Sequence, residues 1–196
     1  MNRTALIKRE TRETLIEIEL FFDGKGNVSI ETGAPFFDHM LTLFATHGFF
    51  DLKIKAKGDI QVDFHHTVED VGITLGKAIK DALGDMKGIT RYGSVTIPME
   101  EALTEVHIDI CNRPFLNFDC VFSIEKVGDF DTELVEEFFR AVSVNSGMTI
   151  HIISRAGKNT HHIIESIFKA FARSLNIAVA LDLRLNNTIM SSKGLI

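Results

Sequence analysis

Two short segments of this chain carry the residue types of a metal centre. His65-His66-Thr67-Val68-Glu69 and His161-His162-Ile163-Ile164-Glu165 lie 96 positions apart in 196 residues. In each, the Glu follows the first His by four positions and the second by three, so on a helix imidazole and carboxylate share a face. Imidazole nitrogen with carboxylate oxygen is a ligand set for a divalent transition metal. A single His-His pair, in a chain with eight His, reads equally as a solvated pair near a helix start. Two pairs, each with Glu at the same offset and an apolar helix behind it, predict two related half-sites in a duplicated metalloprotein.

Further groups fall into place around them. His39, in Asp38-His39, sits on the first helix of the first half, and its counterpart in the second half is Glu136-Glu137. A ligand from that helix would complete each metal shell. Arg91, Arg113 and Lys193 are candidate phosphate ligands, the last in Ser191-Ser192-Lys193-Gly194 with its two hydroxyls. Arg forks and Lys point charges suit phosphate recognition, although each alone reads equally as a solvated cation. Glu13, at the start of a strand, is a candidate acid/base. No Ser-His-Asp, P-loop or GxGxxG pattern supports acyl-transfer or nucleotide chemistry.

The elements that position these groups follow from periodicity. Arg12–Phe22 alternates around Leu15, Ile16, Ile18 and Leu20; Asp23–Asn27 turns, and Val28–Thr32 returns as the second arm of a hairpin. Phe36–Phe49 reads as a helix, Asp51–Lys57 as a strand, and the sequence from Thr67 to Leu83 as a helix with Val68, Val71, Leu75 and Ile79 on its apolar stripe. The second half repeats the order: strands over Tyr92–Ile97, Leu103–Ile110 and Phe115–Phe122, a helix over Asp131–Ser146, a strand over Met148–Ser154 and a helix carrying Ile164, Phe168, Phe171 and Leu175. The expected fold class is α+β, an internal duplication of a strand-strand-helix-strand-helix unit with an extra strand in the second copy. The halves are expected at 1–90 and 91–196, the second ending in a substrate-binding tail, and together they make one catalytic unit. Each half alone would expose one sheet face and two helix stripes, which its twin can bury.

Bulk properties narrow the function. Apolar residues make up 45% and charged residues 24%, an ordinary globular balance. A net charge of −6 offers no basic face for nucleic acid. No apolar run is long enough to span a membrane, and Met1-Asn2-Arg3 leads into charged, strand-like sequence rather than a secretory leader, so a cytoplasmic protein is expected. Cys111 and Cys120 are then thiols at core or strand positions. The sixteen Phe read as core and as a second buried surface, hence a homo-oligomer.

Phe37-Asp38-His39-Met40-Leu41, His65 to Asp70, Glu101-Ala102-Leu103, Asn159 to Glu165 continuing through Phe168-Lys169-Ala170-Phe171, and Ser191-Ser192-Lys193-Gly194 occur in the order of one family. The chain resembles the imidazoleglycerol-phosphate dehydratases of histidine biosynthesis end to end, in their monofunctional form. The resemblance implies a hydro-lyase converting D-erythro-imidazole glycerol phosphate to imidazole acetol phosphate and water. It also implies helices packed between two mixed four-stranded sheets (a ribosomal protein S5 domain 2-like fold), two Mn²⁺ per active site, and 24-subunit assemblies built from trimers with metal sites at subunit contacts. By position, His39, His66, His161 and Glu165 would serve one metal; His65, Glu69 and His162 would serve the other, with a fourth ligand from Glu137. Glu13, His39, His47, Arg91, Arg113, Lys169, Ser191, Ser192 and Lys193 would line the substrate site.

Three positions depart from the family pattern. Glu137 stands where many members carry His, and neighbouring Glu136 leaves the choice between the two open; Phe64 replaces an acidic residue and Met190 a Pro. The implied reaction is hard because no carbonyl acidifies the hydrogen removed. Electrons of the substrate's own imidazole can instead help expel hydroxide, metals acting as Lewis acids and templates, with Glu13 in the proton relay. A two-metal phosphate-ester hydrolase and a non-enzymatic metal-assembled scaffold are the rival readings of the same ligands.

Overall fold

The computed structural model describes residues 3–195, and Met1, Asn2 and Ile196 lie outside the described residues. In the first sheet, β1 (Thr4–Glu10), β2 (Thr14–Phe21), β4 (Asp51–Gly58) and β3 (Val28–Glu31) lie in the order β1-β2-β4-β3, with β3 parallel to β4 and the other pairs antiparallel. Thr14, Ile16, Ile18 and Leu20 of β2 point to the core and alternate with exposed residues, the period-two pattern of a sheet solvated on one face. The second sheet repeats that arrangement. Strands β5 (Tyr92–Met99), β6 (Ala102–Ile110), β10 (Met148–Ala156) and β7 (Phe115–Asp119) lie in the order β5-β6-β10-β7, and β7 is the parallel edge. A two-stranded ribbon, β8 (Lys126–Val127) and β9 (Phe130–Asp131), follows β7.

Each half contributes two helices, α1 (Pro35–Gly48) with α2 (His65–Leu83), and α3 (Leu134–Ser146) with α4 (Thr160–Val179). Helix α2 covers the first sheet and α4 the second, while α1 packs on α4 and α3 on α2. The first helix of each half therefore rests on the second helix of the other. Buried residues recur in the same pattern, Phe37, Met40, Leu41, Phe44 and Ala45 on α1 matching Val135, Phe138, Phe139, Val142 and Ser143 on α3. His39 and Glu137 fall at the same place in that pattern.

The two helix contacts differ in their side chains. Phe44 stacks on Phe171 between α1 and α4, with ring centroids 5.5 Å apart. Between α2 and α3 the approach is so close that a Cβ on Gly72 or Gly76 would lie 2.8 Å from the carbonyl oxygen of Phe138 or Val142.

The α+β duplication stands as expected, with departures in detail. The charged, strand-like start of the chain forms β1 and belongs to the repeat, which was expected to begin at the next strand. Only Ala5 of its apolar residues is fully buried and Lys8, Arg9 and Glu10 break the alternation; it gives the first half the three leading strands of the second. The expected β2–β3 hairpin does not form, because the Asp51 carboxylate accepts hydrogen bonds from the Lys25 and Asn27 N–H groups and ties the turn to β4. The strand over Phe115–Phe122 stops at Asp119, and the helix begins at Leu134 because Asp131 belongs to β9. Pro98 extends β5 to Met99, as an edge strand permits. Cys111 and Cys120 are free thiols just beyond β6 and β7, and burial pushes the Cys120 thiol up to about 12.

Candidate active site

Both His pairs open their helices for a local reason. The Asp63 carboxylate accepts the His65 N–H at 2.7 Å, and the Asn159 side chain accepts the His161 N–H at 3.0 Å. An Asx residue two positions before each pair thus satisfies a donor that a helix start leaves free. Helix α1 is held in turn by Asp38, whose carboxylate accepts from the Thr32 N–H and hydroxyl.

The crossed helix packing brings His39 of α1 to His161 and Glu165 of α4, one donor atom of each lying within 4.8 Å of the others. Two imidazoles and a carboxylate suit Mn²⁺ or a similar ion. Glu165 is buried, with the Lys169 ammonium 2.5 Å and His161 Nε2 3.5 Å from its oxygens. Burial alone would raise its carboxyl, but Lys169, with help from His39 and His161, holds it below the ordinary carboxylate range. His47, in the last turn of α1, is pushed down by burial and by Lys169 and Arg173. His39, His161, Glu165 and Lys169 form one patch, and the charges of Lys169 and Glu165 reach His47.

The other expected ligands do not converge in this way within one chain. His65, His66, Glu69 and Glu137 are half-buried, and none belongs to a cluster of three donors among the described residues. Glu137 lies 3.8 Å from the Arg140 guanidinium, which also pairs with Glu136. His66 Nδ1 lies 3.0 Å from Asp59, whose hydrogen bond, with the charges of Glu13 and Asp63, raises the imidazole above its usual range. His162 is raised likewise by Glu101, 2.8 Å from its Nδ1. Glu13 is exposed, its charge acts on His66, and its carboxylate accepts no hydrogen bond among the described residues.

The expected phosphate ligands meet elsewhere. Arg91, Arg113, Ser191, Ser192 and Lys193 line one cleft of about 690 Å³, with Tyr92 and Asn112. Arg91 is already engaged: it forks onto Asp109 at 2.7 and 3.1 Å and donates to the Met190 carbonyl at 2.8 Å, and Asp109 raises it further. Arg113 is 69% exposed and only 3.9 Å from Asp109. None of the imidazole or carboxylate ligands lines this cleft.

Reading the sequence missed Asp59, Asp63, Asn159 and the contacts of Glu101. The Asx two positions before each His pair was a visible signal; Asp59 and Glu101 become partners only through loop geometry.

Comparison with known proteins gives one answer. A profile of the imidazoleglycerol-phosphate dehydratase family matches residues 32–175. The imidazoleglycerol-phosphate dehydratase of Acetivibrio thermocellus is 55% identical over all of both chains, and that of Azorhizobium caulinodans 55% identical over 98% of each. Among solved structures, the Staphylococcus aureus enzyme superposes with a TM-score of 0.84 at 45% identity over 91% of this chain and 99% of that one. The Pyrococcus furiosus enzyme in complex with (S)-C348 gives 0.83 at 35% identity over 97% and 100%. With this fold and its His- and Glu-bearing helices, the chain is a hydro-lyase. It belongs to the imidazoleglycerol-phosphate dehydratase family, whose members carry out a dehydration in histidine biosynthesis.

Proposed function

We propose that this chain uses two Mn²⁺ per active site to dehydrate D-erythro-imidazole glycerol phosphate to imidazole acetol phosphate. The observation that carries the reading is the meeting of His39, His161 and Glu165 across two helices from opposite halves. His39, His66, His161 and Glu165 would hold one ion, and His65, Glu69, His162 and Glu137 the other. When bound, the metals supply Lewis acidity and a template for the substrate imidazole.

The protein's own groups do the remaining work. Arg113 and Lys193, with Ser191 and Ser192, grip the phosphate, and Arg91 orders the tail through the Met190 carbonyl. Holding the phosphate fixes the glycerol carbons relative to the acid/base, which turns proton transfer into a local event. Glu13 is that acid/base: its carboxylate has no hydrogen-bond or ion-pair partner among the described residues, and its charge acts on His66. Lys169 keeps Glu165 ionised as a ligand, and His47, kept neutral by burial and neighbouring cations, contacts the substrate as a donor or acceptor.

The division of phosphate cleft, His39 patch and His66 patch within one chain supports active sites completed by neighbouring copies. A 24-subunit assembly of trimers accompanies this proposal, as does a cytoplasmic location; among the described residues no helix is long and apolar enough to cross a membrane. Incubating manganese-loaded protein with imidazole glycerol phosphate tests the reaction. Mass spectrometry is expected to find a product lighter by one water; release of inorganic phosphate would replace this reading with a hydrolase.

A further inference from the structure

The second imidazole of each pair is held differently from the first. His66 Nδ1 faces both oxygens of Asp59, at 3.2 and 3.0 Å, and His162 Nδ1 faces Glu101 at 2.8 Å. In each ring Nε2 has no hydrogen-bond partner among the described residues, and the side chains are 37% and 22% exposed. A carboxylate beside Nδ1 favours a proton on that nitrogen and leaves the Nε2 lone pair bare, the state a metal ligand requires.

The two carboxylates do not come from equivalent places. Asp59 follows β4, whereas Glu101 ends the β5–β6 turn, one residue before β6. The first-half residue at that place is Glu13, one residue before β2. The same ring is thus oriented twice by different routes, and in the first half the orienting bond is made by Asp59, so Glu13 has no hydrogen-bond partner for its carboxylate among the described residues.

We propose that Asp59 and Glu101 are positioning residues that fix His66 and His162 with Nδ1 protonated and Nε2 presented to a divalent metal ion. The proposal rests on the metal-dependent reading above. Glu100, Glu101 and His162 also lie close enough to resemble a metal cluster. Glu101, however, is committed: one oxygen accepts from the Lys158 and Asn159 N–H groups at 3.2 and 2.8 Å while the other meets the ring.

That commitment makes amide substitution discriminating. In Glu101→Gln the single carbonyl oxygen can serve the two backbone N–H groups, which places the amide NH₂ against His162 Nδ1 and forces the ring proton onto Nε2. In Asp59→Asn both original oxygens face the ring, so the amide can turn its oxygen to Nδ1 and keep the tautomer. The experiment is Mn²⁺ titration of metal-free full-length protein against a competing chelator, with thermal unfolding of the same metal-free samples.

Glu101→Gln is expected to weaken one class of Mn²⁺ sites by about 10–100-fold with metal-free unfolding unchanged. Asp59→Ala should do the same, and Asp59→Asn should bind as the unsubstituted protein does. Unchanged Mn²⁺ affinity in both Glu101→Gln and Asp59→Ala overturns the proposal while leaving the metal reading intact. A matching loss of metal-free stability also overturns it, making the carboxylates structural. Failure of the unsubstituted protein to bind Mn²⁺ overturns the metal reading itself.

Discussion

The α1/α4 and α2/α3 contacts share a plan and differ in what each gathers. Both set a helix that opens with His-His against a shorter helix from the opposite half. At α1/α4, His39 completes a three-donor group with His161 and Glu165, and phenylalanine rings space the helices. At α2/α3 the equivalent position carries Glu137, glycines bring the helices close, and no such group forms among the described residues. The inner supports differ too. Buried Asp70 of α2 takes a charged clamp from Arg9 at 2.8 Å, whereas buried Ser166 of α4 shares a neutral 2.6 Å hydrogen bond with Thr104. Duplication preserved the spacing that aims the ligands; the facing helix decides how far each site is formed within one chain.

The largest effect should come from breaking the formed group. His161→Ala, or chelation of the unsubstituted protein, is expected to drop turnover below detection, with Mn²⁺ restoring only the chelated native chain. Full activity of a metal-free sample in a coupled assay would remove the chemical meaning of the comparison. Next comes packing. Phe44→Ala empties the α1/α4 seam and should cost about 3–5 kcal/mol, while Gly76→Ala overfills the α2/α3 seam and should cost about 1–3 kcal/mol. Each kcal/mol is worth about 2–4 °C in Tm for a chain of this size. If Gly76→Ala melts like the unsubstituted protein, the helices are not in close approach.

The cleft provides a third, smaller effect. Arg113→Ala removes an exposed fork and is expected to cost about 1.5–3 kcal/mol of substrate binding, read as a raised KM with metal-free Tm unchanged. Arg91→Ala should lower Tm as well, because Arg91 ties the tail, through the Met190 carbonyl, to Asp109 of β6. Equal effects of Arg113→Ala on imidazole glycerol with and without its phosphate would deny Arg113 a phosphate role.

Much of this was legible in the amino-acid order, for reasons that differ by residue. Helices α2 and α4 were plain because their burial follows the 3.6-residue period from the His pairs onward. The match of His39 with Glu137 could be read because α1 and α3 share one pattern of buried positions. The strand-like start of the chain was left out of the repeat because β1 carries charged residues at a sheet edge. Strand β3 was legible as a strand, but its pairing with β4, set by a turn tied to Asp51, was not. Arg91 was visible as a cation but not as an anchored one, because Asp109 and Met190 reach it only through the fold. Asp59 and Glu101 are separated from their imidazoles by a loop or by most of a half, and no periodicity connects them.

The smallest effects concern Glu137, where the two contacts differ by one ligand type. If Glu137 completes the second metal shell, Glu137→Ala should weaken one class of Mn²⁺ sites and suppress turnover, whereas Glu136→Ala, which removes an Arg140 partner at the surface, should leave metal content alone. Glu137→His should move affinity least, since imidazole and carboxylate both suit the same class of ion. It would also make α3 match α1 at His39 and take one negative charge from the site, so metal binding should become more sensitive to acid as imidazole protonation begins to compete. A titration in which Glu137→Ala keeps native stoichiometry and affinity would instead make Glu137 a solvated helix residue beside Arg140, and the α2/α3 site would then draw its donors from α2 and a neighbouring copy alone.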